Sequence, residues 1–136
     1  MPSKIQSWSN GKTARLALSG DIDAYAVLAL RKVIEKLLSN APDRLILHVN
    51  ELNHLPSATL RNLAFASQKQ PGLQIYFVQP QRAIVDNLRA SGFYESVYIL
   101  AEDSEEPDNA IYSAIYAPDG TDDLTSHVEA FRVSQE

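Results

Sequence analysis

The stretch Arg44 to Leu63, RLILHVNELNHLPSATLRNL, gathers the side chains of this chain that could carry chemistry. Its apolar run Leu45-Ile46-Leu47 predicts a buried strand, and Pro56-Ser57-Ala58-Thr59 opens a helical pattern. A hydroxyl delivered to that helix start lies beside unpaired N–H groups and the positive end of the helix dipole. Such a place suits a phosphoryl group, so Ser57 is the phosphorylation candidate. The same residue also suits a structural role, in which it caps or begins the helix behind Pro56. The residues alone leave both readings open. Thr59 is a weaker hydroxyl candidate, expected at the surface of the first turn.

Other chemistry is poorly supported. His48 and His54 stand six residues apart, with Glu51 the one nearby acid, and a metal site would need a further ligand. No metal is therefore expected. Ser57 with His54 and an acid would make a hydrolase triad, but no Gly-x-Ser-x-Gly elbow is present. No glycine-rich phosphate loop appears either, so no cofactor is expected.

These residues need a scaffold, and the chain supplies one. At 136 residues it is expected to hold one main domain with a proper core. It has no cysteine, which excludes disulfide and thiol chemistry. No apolar run reaches membrane-spanning length and no signal-peptide pattern opens the chain, so a cytoplasmic protein without membrane insertion is expected. The net charge of −5 is unevenly spread. Residues 1–101 carry 11 basic and 7 acidic side chains, whereas residues 102–136 carry 1 basic and 10 acidic. The basic residues of the body are scattered, from Arg15 and Arg31 to Arg82 and Arg89, and no aromatic motif accompanies them. Nucleic acid is therefore not an expected partner.

Lys4–Trp8 and Thr13–Ser19 read as strands joined at Asn10-Gly11, a hairpin signal. Asp23 suits the N-cap of a helix over Ala24–Ser39, whose stripe is Val27, Leu30, Ile34 and Leu37. Strand Arg44–Val49, helix Ser57–Lys69, strand Leu73–Val78, helix Gln81–Ala90 and strand Val97–Leu100 follow. Gly92 suits the position after the third helix. The order β-β-α-β-α-β-α-β predicts an α/β fold, a mixed sheet with parallel members and right-handed crossovers. In the acidic extension, Asp108–Tyr116 and Asp122–Val133 read as two helices around the turn Ala117-Pro118-Asp119-Gly120. Ile111, Ile115, Leu124, Val128 and Phe131 are too apolar for a free acidic tail. The extension is expected to pack on the body or to form a homodimer contact.

This order, with three local segments, resembles the STAS domain, shared by anti-sigma-factor antagonists and the cytoplasmic ends of sulfate transporters. Leu18-Ser19-Gly20-Asp21-Ile22-Asp23 is similar to the family's entry into its first helix. Leu45 to Leu63 is similar to its central strand, loop and second helix. Val85-Asp86-Asn87-Leu88-Arg89-Ala90-Ser91-Gly92-Phe93 is similar to its third helix and the Gly that ends it. The likeness covers roughly residues 4–101. Signalling members typically carry Asp-Ser-Ser-Gly at the second helix, with the serine after the Asp phosphorylated. Here those positions are Pro56-Ser57-Ala58-Thr59, so the hydroxyl is kept while the Asp and the Gly are replaced. His48 stands where the family often has an Asp near the end of the central strand.

The resemblance implies a STAS-like domain over 1–101 and an acidic extension over 102–136. It also implies a non-enzymatic protein-interaction module in a bacterial regulatory pathway. The partner would resemble an anti-sigma factor or serine kinase, docking on Glu51, Asn53, His54, Pro56, Ser57, Thr59, Arg61 and Asn62. Two alternatives stay open. One is a soluble subunit that binds a component of a membrane transporter. The other is a small-ligand binder with a pocket near His48 and Ser57.

Overall fold

A computed structural model of the chain describes residues 3–101 and the backbone of residues 114–116. The chain opens with a hairpin, β1 (Lys4–Asn10) and β2 (Thr13–Gly20), whose two-residue turn is Gly11-Lys12. Gly11 has φ +62°, which is what the first central position of this turn requires and what a side chain resists. Next come α1 (Ala24–Leu38), β3 (Arg44–Leu52), α2 (Ser57–Lys69) and β4 (Gln74–Val78). Then α3 (Arg82–Ser91), a short 3-10 turn at Tyr94–Ser96, β5 (Tyr98–Leu100) and β6 (Ala114–Tyr116) follow.

The strands form one six-stranded sheet in chain order. β2, β3, β4 and β5 run parallel, while β1 and β6 are antiparallel edges. Each parallel step moves the same way across the sheet, so right-handed crossovers place all three helices on one face. That face holds the core. Leu16, Leu45, Leu47 and Phe77 from the strands meet Leu30 and Ile34 of α1, Leu63 of α2, and Ile84 and Leu88 of α3. α1 is fixed at its start by Asp23, whose Oδ1 accepts from the Ala26 N–H at 2.9 Å, as the sequence predicts. Its buried stripe is Ala26, Leu30, Ile34 and Leu37, so Ala26 takes the place expected for Val27. α3 ends on Gly92, which adopts φ +79° and donates back to the Arg89 and Leu88 carbonyls.

The opposite face carries a straight cross-strand row. Trp8, Arg15, Ile46, Tyr76 and Tyr98 stand side by side across β1 to β5. The Tyr76 and Tyr98 rings stack at 4.6 Å, and both hydroxyls share Gln74.

Two sequence expectations change. β3 runs on to Leu52, beyond the expected Val49, because it pairs with β2 past the irregularity at Ala17/Ser19. The helix expected over Asp108–Tyr116 is corrected at its end: Ala114–Tyr116 is strand β6, paired with the otherwise open edge of β5. An edge of unpaired N–H and C=O groups outweighs a weak local helical pattern. The rest of that expectation, and the helix expected over Asp122–Val133, lie outside the described residues. No helix of the described residues is long and apolar enough to cross a membrane.

Candidate functional site

The site is built where β3 hands the chain to α2. Leu52 and Leu55 are buried anchors, and between them Asn53 and His54 are pushed into solvent. Two side chains of α3 and its approach hold this connection from below. Gln81 Nε2 donates to the Asn50 carbonyl at 2.9 Å, and Asn87 Oδ1 accepts from the Leu55 N–H at 3.1 Å. Both bonds link residues more than 30 positions apart, so local sequence patterns do not reveal them.

Pro56 is the N-cap of α2, with extended backbone and no side chain able to accept a hydrogen bond. Its carbonyl accepts from the Thr59 and Leu60 N–H groups at 3.0 and 3.2 Å. Ser57 is therefore the first helical residue and begins the helix without capping it. The Ser57 and Ala58 N–H groups precede the first intrahelical bond, and no acid stands in the first turn. Ser57 is exposed, and Arg61, one turn further on, is exposed as well. A phosphoryl group on Ser57 Oγ would find the dipole end and a guanidinium at the spacing that lets them meet.

Ser57 and Arg61 both line an open groove of about 300 Å³ between α2 and the end of α3, with Ser91, Gly92 and Phe93 opposite. On its other side Arg61 lines a second groove of about 720 Å³ between α1 and α2. Arg31, Lys69 and the half-exposed Phe65 stand along that groove, with Glu35 paired to Arg31 at 3.2 Å. Three cations around an apolar ring suit an acidic protein segment that carries an apolar anchor.

The expected residues separate clearly. Asn53, His54, Ser57 and Arg61 form one exposed surface, with Pro56 and Asn62 half-buried beside them. Glu51 is exposed but belongs to β3 and not to the loop. Thr59 is corrected: it is fully buried, and its Oγ1 has no hydrogen-bond partner. It shares a helix face with Leu63 and Ala66, at positions i, i+4 and i+7, and that spacing was a signal available in the sequence. His48 lies on the other face of the sheet, its ring 5.8 Å from that of Trp8 and remote from His54 on the loop. Neither groove beside Ser57 is lined by a histidine, so the expected pocket near His48 and Ser57 does not form there. Among the described residues no group of three potential metal ligands exists.

A STAS domain model matches residues 7–106. Among solved structures, the chain is similar to an anti-sigma factor antagonist from Mycobacterium paratuberculosis, at 17% identity and a TM-score of 0.61, covering 74% of this chain and 87% of that one. It is similar to the anti-sigma factor antagonist SpoIIAA in its unphosphorylated form, at 17% identity and a TM-score of 0.63, covering 77% of this chain and 92% of that one. It is also similar to a serine-to-glutamate variant of RsbS from Moorella thermoacetica, at 14% identity and a TM-score of 0.61, again covering 77% and 92%. At these identities the structural likeness concerns the fold. No curated protein matches.

Proposed function

The chain belongs to the STAS domain family, and from that premise we propose that it is a non-enzymatic docking module of the anti-sigma-factor-antagonist type. It acts in a bacterial partner-switching pathway in the cytoplasm, and its partner is an anti-sigma factor or a serine kinase of that kind. The partner rests on Asn53, His54, Pro56, Ser57, Arg61 and Asn62, and Glu51 lies at the rim of that surface. The phosphorylation state of Ser57 governs the contact.

One observation carries this reading: the Ser57 hydroxyl is exposed at the first position of α2, in a groove it shares with Arg61. A phosphoryl group there adds nearly two negative charges to a docking surface that has none in the first helical turn. Neither Pro56 nor Thr59 supplies the acid and glycine usual in the family, yet neither blocks access to the hydroxyl. Pro56 fixes the entry angle of the helix, and Thr59 faces inward.

The test is a binding titration with the partner that co-purifies from the native cell. Ser57→Ala should bind as the wild type does. Ser57→Asp should bind about tenfold more weakly, a difference of about 1.4 kcal/mol. Equal affinity of the two variants refutes the switch. Phosphopeptide mass spectrometry of Leu52 to Arg61 checks the modification directly.

A further inference from the structure

The sheet has two faces, and the three described helices cover one of them. On the other face Arg15, Ile46, Tyr76, Val78, Tyr98 and Leu100 lie across β2 to β5. None of the six is more than 6% exposed, and Ile46 and Leu100 are completely buried. They stand apart from the hydrophobic cluster that the helices form with the sheet. This burial exists within one protomer, so a second copy is not needed to produce it. Side chains in a row can shield one another at the flanks, but a flat row does not shield its own top. A covering element from the same chain is required, and among the described residues no helix lies there.

We infer that residues 117–136 cross this face of the sheet and form its cover. The geometry of the chain fits. β6 places Tyr116 at the sheet edge beside β5. From that edge, Ile46 on β3 is three strand spacings away, about 14 Å, and Arg15 on β2 is four away, about 19 Å. The helix read over Asp122–Val133 would be about 18 Å long, which is the width to be covered. Pro118-Asp119-Gly120 provides a turn between strand and helix. Leu124, Val128 and Phe131 recur at spacings of four and three, so one stripe can meet Ile46 and the stacked tyrosines.

Charge agrees with this placement. Arg15 brings a guanidinium into the buried centre of the face, where a cation is tolerated only beside acceptors. Residues 117–136 hold Asp119, Asp122, Asp123 and Glu129 against a single Arg132 within the same span. The acidic character of the segment thus has a partner on the body, and its apolar residues have a surface to bury.

The experiment uses the full chain with isotope-labelled methyl groups and aromatic rings. Through-space nuclear Overhauser contacts are sought between the side chains of Leu124, Val128 or Phe131 and those of Ile46, Tyr76 or Leu100. Such contacts are expected, and none is expected to Leu47 or Leu63 on the helical face. A second sample mixes copies labelled only in the tail with copies labelled only in the sheet, and the contacts should vanish there. Contacts that persist in the mixed sample would assign the cover to another copy and overturn the inference. Contacts to the α1–α2 groove instead, or no contacts at all, would overturn it equally.

Discussion

The bond from the Leu55 N–H to Asn87 Oδ1 gives the sharpest test of how the docking loop is held. It spans 3.1 Å, joins the β3–α2 connection to the middle of α3, and is partly buried. Asn87→Ala removes the acceptor and leaves the Leu55 amide, in a residue 1% exposed, without a partner. An orphaned buried donor costs about 1–3 kcal/mol. Water can reach part of this site, so the lower end, about 1 kcal/mol, is expected. For a domain of this size that corresponds to a fall in Tm of roughly 4–8 °C. It also corresponds to about fivefold faster hydrogen exchange at Leu55, if that amide exchanges through local opening. Asn87→Asp keeps an oxygen at the same place and should recover most of the loss in both measurements. The assay is thermal unfolding followed by circular dichroism, with residue-resolved exchange by NMR. If Asn87→Ala and Asn87→Asp behave alike, or Leu55 exchange is unchanged in Asn87→Ala, the bond does not hold the loop and the reasoning fails.

Thr59 buries a hydroxyl that has no partner, so Thr59→Val should leave stability unchanged or raise it by up to about 1–2 kcal/mol, seen as a higher urea midpoint. Leu63 is fully buried between α2 and the sheet, and Leu63→Ala should cost about 2–5 kcal/mol in the same assay. Gly11 has open space around its Cα but φ +62°, so Gly11→Ala should lower stability by roughly 1 kcal/mol through backbone strain alone.

Much of the scaffold follows from local rules. The Leu30, Ile34 and Leu37 stripe, the Asp23 cap and the Gly92 stop are short-range patterns, and each stands in the structure where its spacing places it. The start of α2 at Ser57 was legible for the same reason. What local rules miss is tertiary. Arg15 looks like an outward strand residue, yet it is 1% exposed because the sheet is covered on both faces. Asn87 and Gln81 look like ordinary polar helix residues, and their roles exist only once α3 lies under the loop. Thr59 was misplaced by its chemistry: a hydroxyl in a first turn suggested solvent, although its spacing with Leu63 indicated the core. Ala114–Tyr116 became a strand because β5 offered it a partner, which no short window of sequence contains.

The strand order, one to six without a jump, bears on how the protein is made. During synthesis each new strand emerges to find its neighbour already in place, beginning with the β1–β2 hairpin. No segment has to wait for a later one before it can pair, and no strand must be inserted between two that have already joined. Loop closure stays short at every step, which favours fast folding and limits the time an open strand edge is exposed. Assembly on the ribosome can thus proceed as a one-way extension, with β6 sealing the growing edge at β5.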